Sequence, residues 1–136
     1  MNRFLAVCVS LVLASAARAD FTFIHASDIH VGAGDNHVTD AKLFTEISNL
    51  KPRPVFVVAT GDICEYGTDE QYEQYRQTLT SLVGVKFYPT PGNHDVRWNP
   101  RGKEGFTLGT GQPMYQSWDH GGLHFVQRAQ QFGRSL

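Results

Sequence analysis

The chain has 136 residues, 41% of them hydrophobic and 18% charged, with 12 Lys and Arg against 13 Asp and Glu for a formal net charge of -1. That composition excludes a disordered or fibrous chain, because the apolar content is enough for a core and the glycines follow no period. The even charge balance and the lack of like-charge runs give no basic field, so no nucleic-acid partner is expected, and the length fits one domain.

Residues 1–19 read as an export signal. Arg3 supplies a positive start, residues 4–14 an apolar stretch interrupted by Ser10, and Ala17-Arg18-Ala19 a small-x-small cleavage site. The apolar stretch falls short of the ~20 residues that span a bilayer. Asp20 stands where a lipoprotein would need cysteine. No stable membrane anchor is therefore expected after cleavage, and the mature chain is expected to be periplasmic or secreted. Cleavage also removes Arg3, Arg18 and Cys8, leaving a mildly acidic chain with Cys64 alone and no intramolecular disulfide.

Residues 21–26 alternate loosely and end in Ser27-Asp28-Ile29-His30, which predicts a half-buried strand running into a loop. Leu43, Phe44, Ile47 and Leu50 lie on one face of a helix within residues 39–50, which Pro52 and Pro54 close. Residues 55–59 form a continuous apolar run, the pattern of a parallel strand covered on both faces, and Thr60-Gly61-Asp62 ends it. Thr68, with Gln71 three positions on, predicts a capping box opening a second helix that reaches about Leu82, with Tyr72, Tyr75, Leu79 and Leu82 inward. A third short strand follows at residues 85–88, and Pro89, Pro91 and Gly92 turn the chain out of it. Residues 96–111 read as irregular, and residues 114–118 and 123–127 as an antiparallel hairpin around Asp119-His120-Gly121-Gly122. Strand, helix, strand, helix, strand is the order of an α/β sheet with right-handed crossovers.

In open α/β sheets, ligands gather beyond the carboxyl ends of the strands. Each of the three expected strands ends in groups that can bind a metal: Asp28 with His30, then Asp62, then Asn93 with His94 and Asp95. Carboxylates can bridge divalent ions, while imidazole and carboxamide complete the shells without excess charge. Two ions roughly 3.5 to 4 Å apart can activate a water and clamp a phosphoryl oxygen, a design suited to phosphoester hydrolysis.

Asp28-Ile29-His30, Gly61-Asp62-Ile63-Cys64-Glu65 and Gly92-Asn93-His94-Asp95 resemble the first three signature motifs of the calcineurin-like metallophosphoesterase family. The resemblance runs from about Phe21 to Gln127. It implies an αββα fold, a β-sandwich flanked by helices, and two divalent ions, Fe, Mn or Zn. It further implies that Asp28 and His30 bind one ion, Asp62 bridges both, and Asn93 binds the second. His94 would contact the scissile phosphate or protonate the leaving group, with Asp95 fixing the imidazole tautomer. The family's later motifs, Gly-His and Gly-His-x-His, do not occur in this sequence, and residues 128–136 do not continue an apolar strand. The expectation is an N-terminal half-domain over residues 20–127 with an atypical, frameshift-like tail. Its function would be exported hydrolysis of a phosphomono- or diester, impaired by truncation. A non-catalytic fragment binding a single ion weakly and a nuclease of the same superfamily are the alternatives.

Glu65 reads either as a carboxylate that orients a metal ligand or loop, or as a solvated side chain. Arg97, Arg101 and Lys103 follow the third motif closely enough to steer a phosphate, with solvated loop charges as the alternative; Arg97 is the candidate substrate-binding residue. Trp98 is near enough to line a substrate pocket, and Trp118 suits the core. Cys64 reads as a small packed residue. His25 and His37 lack ligand spacing, and His120 and His124 bracket a turn.

Overall fold

The computed structural model describes residues 20–129. The expected signal segment and residues 130–136 of the expected tail lie outside them. The elements are β1 (Ile24–Ser27), α1 (Asn36–Asn49), β2 (Phe56–Thr60), α2 (Asp69–Leu79), β3 (Lys86–Thr90), α3 (Asn93–Arg97), α4 (Lys103–Thr110), β4 (Tyr115–His120) and β5 (Leu123–Arg128).

β1, β2 and β3 form a parallel sheet with β2 in the centre, and β4 and β5 pair as an antiparallel hairpin. The central place of β2 explains its unbroken apolar run, because both of its faces are covered. Val57 and Ala59 point toward the helices, where they pack with Phe44, Ile47, Tyr72, Tyr75, Phe87 and Phe106. Phe56 points the other way, its ring 5.0 Å from Phe125 and 5.4 Å from Trp118. Burying side chains of this size stabilises by roughly 1.5–3 kcal/mol each. Trp118 stacks on Tyr88 at 3.8 Å, so the hairpin lies over the sheet as a second apolar layer.

Thr68 caps α2 as its sequence predicts, accepting from the Gln71 N–H at 3.3 Å. The reciprocal half of the box is different: Gln71 Oε1 accepts from the Tyr66 N–H at 2.7 Å and ties the preceding loop instead. A larger difference lies in residues 96–111, which the composition marks as irregular but which contain α4 and the end of α3. Glycine has low helix propensity, yet here it permits close packing. A Cβ at Gly109 would collide with the Tyr72 ring, so this glycine lets α4 press fully buried Phe106 against α2, while one at Gly105 would collide with Asn99 in the turn before α4. Tertiary burial outweighs local preference in this segment. No helix among the described residues is long and apolar enough to cross a membrane.

Candidate metal centre

The loops that leave β1 and β2 continue side by side beyond the sheet. His30 N–H donates to Asp62 O at 2.9 Å, Val31 N–H to Ile63 O at 2.9 Å, and Glu65 N–H to Val31 O at 3.0 Å. This extra ladder fixes the first two motifs relative to each other. Asp28, His30 and Asp62 take φ values of 55°, 51° and 47°, and they are the non-glycine residues with positive φ among those described. The left-handed conformation costs an L-residue roughly 1–2 kcal/mol, and such strain persists where the surrounding structure imposes it. All three strained residues are candidate ligands, and their ladder bonds impose the conformation that turns their side chains toward one another.

The result is a compact cluster. One donor atom each from Asp28, His30 and Asp62 lies within 4.8 Å of the others, and the same holds for His30, Glu65 and His94. His30 Nδ1 is 2.6 Å from Glu65 Oε2. A carboxylate accepts, so Nδ1 carries the proton of this bond, and in the neutral ring that a metal ligand requires Nε2 presents a lone pair. Nε2 lies 3.8 Å from Asp28 Oδ1 and 3.9 Å from Asp62 Oδ2. A lone pair facing two carboxylates fits a divalent cation, and the Glu65 carboxylate behind the ring is the usual outer partner of a metal-binding histidine. Asp62 has its other oxygen, Oδ1, held by the His94 N–H at 3.0 Å, which leaves Oδ2 directed into the cluster. Gly92 allows this approach, since a Cβ there would collide with Asp62.

Asn93 lies with Asp28 and Asp62 along a cavity of about 610 Å³ between the sheet rim and the hairpin. His94 stands beside His30, the two rings 4.8 Å apart and edge to face. Its Nδ1 is 2.7 Å from Glu65 O. A carbonyl oxygen accepts only, so this proton also sits on Nδ1, and Nε2 is the nitrogen open to chemistry.

Asp95 does not orient His94, contrary to the expectation. Its carboxylate is fully buried and accepts from the N–H groups of Ile63, Cys64 and Gly92, each at 2.9 Å. Burial pushes its carboxyl up to about 6, against the downward pull of those three bonds. The physical reason for the difference is that α3 turns the side chain of position 95 toward the preceding loops, where unpaired N–H groups need an acceptor. The second and third motifs are thereby tied together, and the imidazole is held by Glu65 O instead.

Arg97 lies apart from the other candidates, its guanidinium 5.3 Å from the centroid of exposed Trp98 and outside the residues that line the cavity. Arg101 pairs with Asp69 at the start of α2. Cys64 is buried, and burial pushes its thiol well above the usual range, as befits an inert packed residue. His124 bonds Asp119 at 2.7 Å on the hairpin surface. His25, set aside for lack of ligand spacing, does line the cavity, 2.7 Å from Thr60 Oγ1. The period of two along β1 places it on the face of Ser27, a signal present in the sequence. Gln127 also reaches this cavity, and no sequence motif marks it.

Residues 21–132 match the family described as calcineurin-like phosphoesterase. The chain belongs to that family. By family it is a metallophosphoesterase, and the clustered His, Asp and Glu side chains suit the divalent metals such enzymes bind. It is similar to a probable glycerophosphodiester phosphodiesterase of Arcobacter nitrofigilis, 44% identical over 45% of this chain and 22% of the relative. A glycerophosphodiester phosphodiesterase of Enterobacter lignolyticus is 35% identical over 52% of this chain and 28% of its own length. A cAMP/cGMP dual specificity phosphodiesterase of Mycobacterium tuberculosis is 28% identical over 59% of this chain and 29% of its own. The aligned region thus spans less than a third of each of these relatives.

Proposed function

We propose that this phosphoesterase chain is exported and serves hydrolysis of a phosphodiester at a two-metal centre built on Asp28, His30, Asp62 and Asn93. The observation that carries the reading is the convergence of Asp28, His30 and Asp62 donor atoms within 4.8 Å, each residue in a left-handed conformation. The names of the phosphodiesterase relatives support a diester over a monoester, and the small-x-small site at residues 17–19 supports export.

In this reading Asp28 and His30 would hold one ion and Asn93 the second, with Asp62 as the ligand they would share. Divalent ions supply Lewis acidity toward a phosphoryl oxygen and toward the attacking water. The chain's own residues supply orientation and protons. Glu65 keeps the His30 proton on Nδ1, so that Nε2 is available as a ligand. His94, held through Nδ1–H, turns Nε2 toward the substrate; as the doubly protonated imidazolium it would pass the Nε2 proton to the leaving oxygen and be left as the neutral Nδ1–H ring. Asp95 holds the second and third motifs in register and makes no contact with substrate.

The test is hydrolysis of bis(p-nitrophenyl) phosphate by the full chain with added Mn²⁺. Metal-dependent turnover is expected, and Asp62→Asn should lower it by at least about 10³-fold, as loss of a shared metal ligand removes much of the charge stabilisation. A folded chain that neither retains Mn²⁺ nor turns over the diester overturns the proposal.

A further inference from the structure

Gln127 on β5 is 7% exposed, and it lines the cavity together with Trp118 and Phe125. Burying a primary amide in such surroundings is costly unless its hydrogen bonds are made. Here they are. Nε2 donates to Tyr88 O at 2.9 Å and to Ala59 O at 3.4 Å, and it also meets Thr90 Oγ1. Oε1 accepts from Gln116 Nε2 at 2.9 Å, and Gln116 in turn donates to Pro89 O at 3.3 Å.

One amide therefore links Ala59 of β2 with Tyr88 and Thr90 of β3, the two strands whose loops present Asp62 and Asn93. Among the described residues β3 is an edge strand, and its pairing with β2 runs on to the strand ends, with Thr60 opposite Thr90. The backbone bond from Gly61 N–H to Thr90 O, 3.0 Å long, links the two strand exits directly. A side-chain donor placed on the sheet face adds a second link between the two strands, beside the backbone ladder.

We infer that Gln127 is a positioning residue of the metal centre, acting through the β2 and β3 exits to hold Asp62 and Asn93 at their spacing. The inference rests on the metal-centre reading for its consequence, but the restraint itself is measurable without metal. The experiment compares the full chain with Gln127→Met, which keeps the reach and loses the donors, and with Ser117→Ala, an exposed change on the same hairpin. Amide hydrogen exchange of the metal-free protein is followed by NMR at Gly61 and His94, with α1 amides as reference, and Mn²⁺ binding is titrated separately.

In Gln127→Met, exchange at Gly61 and His94 should quicken about tenfold and Mn²⁺ should bind about tenfold more weakly, the scale of one or two lost hydrogen bonds. The α1 amides should not change, and Ser117→Ala should move neither readout. Uniform acceleration of every amide would overturn the inference, since it would show a role in stability alone. So would unaltered protection at Gly61 and His94, or the lack of protection there in the parent chain. If Gln127→Met does not fold, Thr90→Val, which removes one partner of the amide, should give the same local pattern at about threefold. A parent chain that binds no Mn²⁺ overturns the metal-centre reading, while the exchange data still decide the restraint.

Discussion

The two faces of β2 are covered in different ways. Toward the helices, Val57 and Ala59 meet fully buried side chains, Phe44, Tyr72 and Phe106 among them. Toward the hairpin, Phe56 meets rings that are themselves partly exposed, and the polar amides of Gln116 and Gln127 make the bridging bonds. The ligand loops are fixed from the helix side of this arrangement, by the continued ladder between the first two motifs and by the buried carboxylate of Asp95. The hairpin side tunes the strand exits and leaves an open cavity beside them. Packing and strain thus sit on one side of the centre, and access on the other.

The largest break in this comparison should come from Asp95→Ala, which leaves three buried N–H groups without an acceptor. A loss of about 3–5 kcal/mol is expected, read as a fall in the urea midpoint. Next, Phe44→Ala on the helix side should cost about 3–5 kcal/mol, and Phe125→Ala on the hairpin side about half of that, because its ring is only partly buried. Equal losses at the two positions would erase the distinction between the faces.

The smallest effect is a pH dependence within α1. Asp40 is buried there, and desolvation pushes its carboxyl up to about 6, against a lowering pull from His37. A carboxyl that holds its proton more tightly in the folded chain than in the unfolded one loses stability as it ionises. Its cost therefore grows as pH rises from about 4 to about 6 and is constant above. Asp40→Asn should raise the melting temperature at pH 7 and leave it unaltered at pH 3.5. A stabilisation of the same size at both pH values would assign the gain to something other than ionisation.

Much of this was legible in the sequence because it was written in periodicity and turn chemistry. The apolar run before Thr60 required a strand covered on both faces, and the structure makes β2 central. Tyr72 and Tyr75 at helical spacing required burial, and both are buried. The helix α4 was hidden because its glycines lower local propensity, while the gain that forms it, Phe106 against α2, comes from residues distant in the chain. The true partners of Asp95 were hidden for a related reason. Two of its three donors, Ile63 and Cys64, belong to the loop after β2, and adjacency to His94 in sequence says nothing about whether the carboxylate meets them.

By itself, the sequence determined which chemical groups follow each strand, and so the kind of site the chain could build: carboxylates, imidazoles and an amide at the ends of three parallel strands. Only the tertiary structure decided their roles. It forces Asp28, His30 and Asp62 into left-handed backbone, leaves the proton of His30 on Nδ1 opposite Glu65, removes Asp95 from the histidine and brings Gln127 beneath the rim. The reason is that residue type fixes what a side chain can donate or accept, whereas strain and partnership depend on contacts between segments far apart in the chain, which no local pattern encodes.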